Sequence, residues 1–150
     1  MGSPYVPSKQ KEIEFILKQI KFKKNNRFVD LGCGDGRVVR TAVKKYQLIG
    51  LGVDINPILI FIARVYAYFS MITSNISFIR GNFFNISLKN TDYVYIFLMP
   101  DLIKKLKYKL KKELKKQTIV ISHGFPIIGW EKKLIKKVSH IPFPTYFYKL

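Results

Sequence analysis

The sequence predicts an α/β fold in which a mainly parallel sheet is covered by helices on both faces. Three observations predict it. Short apolar runs rich in β-branched residues alternate with segments of helical periodicity at about 25 residues per unit, a spacing that joins parallel strands by helical crossovers. The first run enters a glycine-rich turn, "FVDLGCGDGR" at 28–37, and the second ends on an acid, Asp54.

Each element has its own signal. Pro4 and Pro7 hold "PYVPS" extended, and Ser8 is the expected N-cap of a helix over about 9–20. Ile13, Ile16, Leu17 and Ile20 recur at i, i+3, i+4 and i+7, so that helix has one apolar face. "RFVDLG" reads as a short buried strand, and "GRVVRTAVKKY" resumes helical spacing. "LIGLGVDI" at 48–55 is the second strand. Asn56 caps the next helix and Pro57 suits its first position. The apolar run 57–72 carries Arg64 and is shorter than the ~20 residues a membrane span needs, so it is expected to be a buried or half-buried helix.

Strands three to five are expected at 76–81, 91–99 and 117–123. Between the last two, Leu102, Leu106, Leu110 and Leu114 repeat every four residues on a lysine-rich helix whose remaining face is solvated. The tail supplies one or two antiparallel strands. Right-handed crossovers make this a doubly wound, Rossmann-like sheet, with its ligand outside the carboxyl ends of the strands where the order reverses.

At 150 residues, with 48% hydrophobic and 15% aromatic residues, the chain is expected to form one globular domain, 1–150. A single cysteine, Cys33, excludes an internal disulfide, and no Cys/His cluster points to zinc or another metal. A reducing cytoplasm is the expected location, and the polar N-terminus lacks a signal-peptide pattern. Gly2 does not open a myristoylation motif, because Val6 stands at the Ser/Thr position. The net charge of +18 has two readings, a polyanion-binding surface or the lysine-rich bias of an AT-rich genome. The scarcity of arginine, the usual base and phosphate fork, weighs against nucleic acid.

The chemistry is concentrated in the glycine turn. Glycines there allow tight backbone geometry and close ligand approach, and Asp54, 24 residues after Asp30, can accept both hydroxyls of a ribose. These features fit a dinucleotide and S-adenosylmethionine (SAM) alike. Asp30 and Asp35 separate the two. A pyrophosphate at this turn relies on backbone N–H groups. Two nearby anions oppose it, since unit charges at 4 Å interact by ~4 kcal/mol at an effective dielectric of 20. SAM carries an ammonium and a sulfonium, so the same acids help. Gly32, Gly34 and Gly36 spell G-x-G-x-G, which differs from the dinucleotide fingerprint. The competing explanation is that Asp30 only caps backbone amides and Asp35 only caps the following helix.

"VDLGCGDGR" with "GVDINP" resembles motifs I and II of class I SAM-dependent methyltransferases. "PYVPS", "DLGCGDGR", "DINP", "GNFF", "ELKK" and "ISHGFPIIGW", in that order, resemble one small family across nearly the whole chain. These are the archaeal protein-lysine methyltransferases and their mitochondrial relatives, which modify the ATP synthase c-subunit and the adenine nucleotide translocase. The resemblance implies a seven-strand methyltransferase core and an N-terminal lid over 1–20. It implies that Asp30, Gly32, Gly34 and Gly36 face the methionine moiety and Asp54 the ribose. Asn82 and Phe83 would flank the adenine, with Asn82 accepting through its carbonyl oxygen. Tyr5 and Ser8 would fold over the cofactor.

Lysine, with a reference pKa of about 10.4, must shed a proton before it accepts a methyl group. Candidate walls of the acceptor site are Tyr5, the end of the fourth strand at Leu98, Met99 and Pro100, and Ser122 with His123 after the fifth. Core packing competes for Leu98 and Met99, and an ordinary hydrogen bond competes for His123, so no side chain is assigned as the base. "FLMP" lacks the Asn/Asp-Pro-Pro-aromatic motif of many amino-methylating enzymes, which counts against adenine, glutamine or cytosine acceptors. Three functions remain open: a protein-lysine methyltransferase, an RNA methyltransferase using the +18 charge, and a non-catalytic SAM-fold adaptor. The first has as partners a protein with an accessible lysine and an acidic protein or anionic membrane surface, and a monomer is expected.

Overall fold

The computed structural model describes residues 4–150. The first three residues of the expected lid, Gly2 among them, lie outside the described residues. The elements run α1 (Gln10–Leu17), β1 (Arg27–Leu31), α2 (Arg37–Tyr46), β2 (Ile49–Asp54), α3 (Pro57–Phe69) and β3 (Ile76–Arg80). They continue with β4 (Tyr93–Ile96), α4 (Pro100–Glu113), β5 (Ile119–His123), β6 (Leu134–Val138) and β7 (Thr145–Lys149). One seven-stranded sheet forms in the order β3-β2-β1-β4-β5-β7-β6. Strands β1 to β5 are parallel, and β7 runs antiparallel to both β5 and β6. The order reverses between β1 and β4, which puts a crevice beyond their carboxyl ends.

Alternation along each strand divides the core. Phe28, Tyr93, Tyr95, Ile121 and Phe147 pack under α1, α2 and α3. Val29, Leu31, Val94, Ile96 and Val120 pack against α4 and Trp130 on the other face. Both faces of β1, β2, β4 and β5 are therefore dry, as their continuous apolar character requires, while the edge strand β3 leaves Ser77 and Ile79 exposed.

Several boundaries differ from expectation for local reasons. Helix α1 starts at Gln10 with Lys9 as N-cap, and no side chain caps it. Ser8 contributes its carbonyl oxygen to Arg37 Nη1 at 2.9 Å and so holds the segment before the helix. Strand β4 stops at Ile96, because Phe97, Leu98 and Met99 turn toward the crevice before α4. On α4 the buried stripe is Ile103, Leu106 and Leu110, with Leu102 only partly covered. Asn56 does cap α3, accepting from Ile58 N at 2.9 Å and Leu59 N at 3.2 Å.

The long apolar run is less buried than its composition implies. Helix α3 buries Ile60, Ala63 and Ala67, while Ile58, Phe61, Tyr68 and Phe69 are each more than two-thirds exposed.

Candidate active site

The glycine turn is tied down from two sides. Gly32 N and Cys33 N donate to Val53 O at 2.8 and 2.9 Å. Asp54 then accepts from Gly34 N through Oδ2 and from Asn56 N through Oδ1, each at 2.9 Å. Asp54 thus joins the turn to the end of β2 and lines the crevice. Gly34 has φ +56°, and a Cβ there would stand 2.6 Å from the Tyr5 ring. Only glycine combines that backbone with so close a neighbour.

The crevice is a cavity of about 820 Å³, within the size range of small-molecule sites. Tyr5, Ser8, Asp30, Gly32, Gly34, Asp54, Asn82, Phe83, Leu98 and Met99 all line it. Four expected residues do not, Ser122 among them: it is fully buried and donates to Phe125 O at 2.6 Å. Gly36 begins α2 with φ +77°, and a Cβ there would meet Phe78 at 2.5 Å and Ala63 at 3.1 Å, so it serves close helix–sheet packing. Pro100 opens α4 beyond the cavity wall. His123 is fully buried beneath Phe97, with ring centroids 4.6 Å apart, and Nδ1 pairs with Thr145 Oγ1 at 2.9 Å. Burial pushes its imidazole down to about 4, so it is neutral. Asn82 faces the cavity, but its Oδ1 already accepts from Phe84 N at 2.9 Å, which leaves one lone pair for a ligand.

The two acids of the turn differ in state. Asp35 forms a fork with Arg37, with Nη2–Oδ2 at 2.7 Å, and Arg40 donates to its carbonyl oxygen. Burial works to raise the Asp35 pKa, but the hydrogen bonds and charge of Arg37 outweigh it and hold the carboxyl below its ordinary value. Asp35 is therefore ionised and paired with Arg37, and it lines the same cavity. Asp30 is buried with no lysine or arginine of the described residues paired to it. Burial first, then the charges of Asp54 and Asp35, push its carboxyl well above the usual range. A cationic ligand group beside Asp30 removes that penalty.

Sequence reasoning missed Arg37, which joins Asp35 to Ser8 and so fixes the N-terminal segment over the turn. It also missed Tyr95, whose position in an apolar strand resembles core but which lines the cavity. Cys33 is buried, and burial pushes its thiol up, so it is not a nucleophile.

The reversed strand order, the glycine turn closed by the acid of β2, and a buried acid at the end of β1 define a class I SAM-dependent methyltransferase. The chain belongs to the ANTKMT methyltransferase domain family, whose model matches residues 30–134. It is 38% identical over 137 residues to a protein-lysine N-methyltransferase of Saccharolobus islandicus, covering 91% of this chain and 85% of that one. It is 30% identical over 128 residues to the adenine nucleotide translocase lysine N-methyltransferase of Mus musculus, covering 85% of this chain but only 56% of that relative. The fold is similar to that of an RNA methyltransferase from Salinibacter ruber in complex with S-adenosyl-L-homocysteine. There the TM-score is 0.91 and the identity 26%, over 96% of this chain and 93% of that one.

Proposed function

We propose that the protein transfers a methyl group from SAM to the side-chain amine of a lysine in another protein. The observation that carries the acceptor is the 38% identity with a protein-lysine N-methyltransferase over 91% of the chain. For the donor, the uncompensated carboxylate of Asp30 behind Gly32 and Gly34 suits the cationic methionine end, and Asp54 suits the ribose. Asn82 and Phe83 border the place for adenine.

SAM supplies an electrophilic methyl group on a sulfonium. The chain's own residues hold and orient. Tyr5 and Ser8, kept in place by Arg37, cover the turn as part of a lid that excludes water. Leu98 and Met99 furnish an apolar wall, where a lysine amine gives up its proton more readily than in water.

The working form is read as a cytoplasmic monomer that meets acidic proteins or anionic membrane through its +18 surface. The test is incubation with methyl-labelled SAM and cell lysate, with and without RNase or protease, followed by peptide mapping. Label on lysine peptides is expected. Label that survives protease and disappears with RNase overturns the reading in favour of an RNA acceptor.

A further inference from the structure

A second cavity of about 520 Å³ adjoins the first and shares Val6, Pro7, Ser8, Phe97 and Phe143 with it. Glu12 lines the second cavity and Tyr95 the first. We propose that this second cavity is the channel for the acceptor lysine, with Glu12 receiving its ammonium and Tyr95 orienting the amine toward the methyl donor. The proposal rests on the protein-lysine reading above.

The sheet brings the two residues together. Tyr95 on β4 pairs in register with Asp30 on β1, and both face the α1 side. Tyr95 is fully buried, and among the described residues its hydroxyl meets no partner in hydrogen-bond geometry, although the Ser8 side chain lies close enough to interact with it. Asp30, Glu12 and the Ser8 hydroxyl are its polar surroundings, so it stands between the donor site and Glu12. A buried hydroxyl left unpaired in the protein alone is satisfied when a ligand brings the partner.

Glu12 is one of nine acidic residues in a chain with 27 lysines and arginines, yet among the described residues it pairs with none of them. Its side chain is only 11% exposed, and Oε1 lies 2.7 Å from His123 Nε2. That nitrogen is not in line for a hydrogen bond. Phe15, Phe97 and Phe143 supply aromatic walls suited to a methylene chain and a cationic head.

The groups facing Glu12 are His123 from β5, His140 from the loop before β7, Tyr95 from β4, and Lys9 and Lys11 beside it. Burial raises the Glu12 pKa, and His140 and Lys9 only partly oppose this. Glu12 thus holds a proton more readily than an exposed glutamate.

The lysine ammonium passes one proton to the Glu12 carboxylate, and the proton leaves to water at the cavity mouth. The neutral amine nitrogen then bonds to the methyl carbon while the carbon–sulfur bond breaks. Its electron pair stays on sulfur, and the product is a methylated ammonium beside a neutral thioether.

The test uses the full chain, the lysine peptide found by labelling, and n-butylammonium as a side-chain probe. Glu12→Gln is expected to leave SAM affinity by calorimetry within twofold and to raise KM for the peptide at least tenfold. It should also remove the acid limb of kcat/KM against pH and abolish saturation transfer from butylammonium. Tyr95→Phe, which deletes only the unpartnered hydroxyl, is expected to lower kcat about tenfold at unchanged SAM affinity. Lysine labelling by the parent with wild-type KM, pH profile and butylammonium signal in Glu12→Gln overturns the channel and leaves the lysine reading intact. Label confined to RNA in the parent overturns both.

Discussion

Asp30 is where residue chemistry and function meet most directly. A carboxylate buried without a cation destabilises the free protein and favours a cationic ligand. The folded chain holds the Asp30 proton more tightly than the unfolded chain does. Stability linked to Asp30 is therefore full below the unfolded value of about 3.9 and is lost as pH rises toward the folded value. Asp30→Asn is expected to raise the thermal midpoint of the ligand-free protein, with the gap over the parent widening from about pH 4 to neutrality. A chain of this size gains roughly 2–4 °C per kcal/mol. The same variant should lose at least about tenfold in SAM affinity, equivalent to ~1.4 kcal/mol. Parallel melting curves at all pH values would contradict this account. Asp54→Ala is expected to abolish measurable SAM binding, because it removes the proposed ribose acceptor and unties Gly34 from β2; unchanged affinity by calorimetry would show that Asp54 is not the ribose acceptor.

Among the elements, the segment before α1 depends on one side chain. Arg37 reaches Ser8 O and forks with Asp35, so its charge serves both the turn and the segment before α1. Arg37→Ala should leave Asp35 unpaired and free the segment at Ser8. Hydrogen bonds to charged groups contribute about 1.5–3 kcal/mol, so a SAM affinity loss of about tenfold or more is expected, with faster proteolysis ahead of Gln10. This link was illegible in the sequence, where Asp35 reads as a ligand anion or a helix cap. Which arginine meets which acid depends on side-chain geometry that spacing does not carry. The parallel strands, the Asn56 cap and the placement of Asp54 were legible, because period, capping chemistry and strand ends are local properties. Tyr95 was hidden for the opposite reason: its strand is uniformly apolar, and only the register opposite Asp30 distinguishes its hydroxyl from core.

The whole molecule combines a charge of +18 with an apolar face on α3. Ile58, Phe61, Tyr68 and Phe69 project from that helix, and Asn56 and Leu59 at its start line the cofactor cavity. Of the two expectations for the apolar run, a buried or a half-buried helix, the second holds, because hydropathy counts residues whereas burial depends on which face of the helix meets the sheet. An exposed apolar strip of this kind is the sort of surface that suits contact with a partner or a membrane. Because Asn56 and Leu59 line the first cavity, whatever α3 touches also lies near the mouth of that cavity. Charge attracts at long range, and its reach falls from about 10 Å at 0.1 M salt to 3 Å at 1 M. The protein is therefore expected to sediment with phosphatidylserine-containing vesicles at about 0.1 M salt and to be largely released at about 1 M. It should bind phosphatidylcholine vesicles weakly at either concentration. Burial of apolar surface does not follow the Debye length, so the fraction that stays bound at high salt reports on α3. Phe61→Asp combined with Phe69→Asp should remove that fraction while leaving SAM affinity and the thermal midpoint close to the parent's, since neither side chain is buried. Equal binding to charged and neutral vesicles would refute the electrostatic part, and an unchanged high-salt fraction in the double variant would refute the part played by α3.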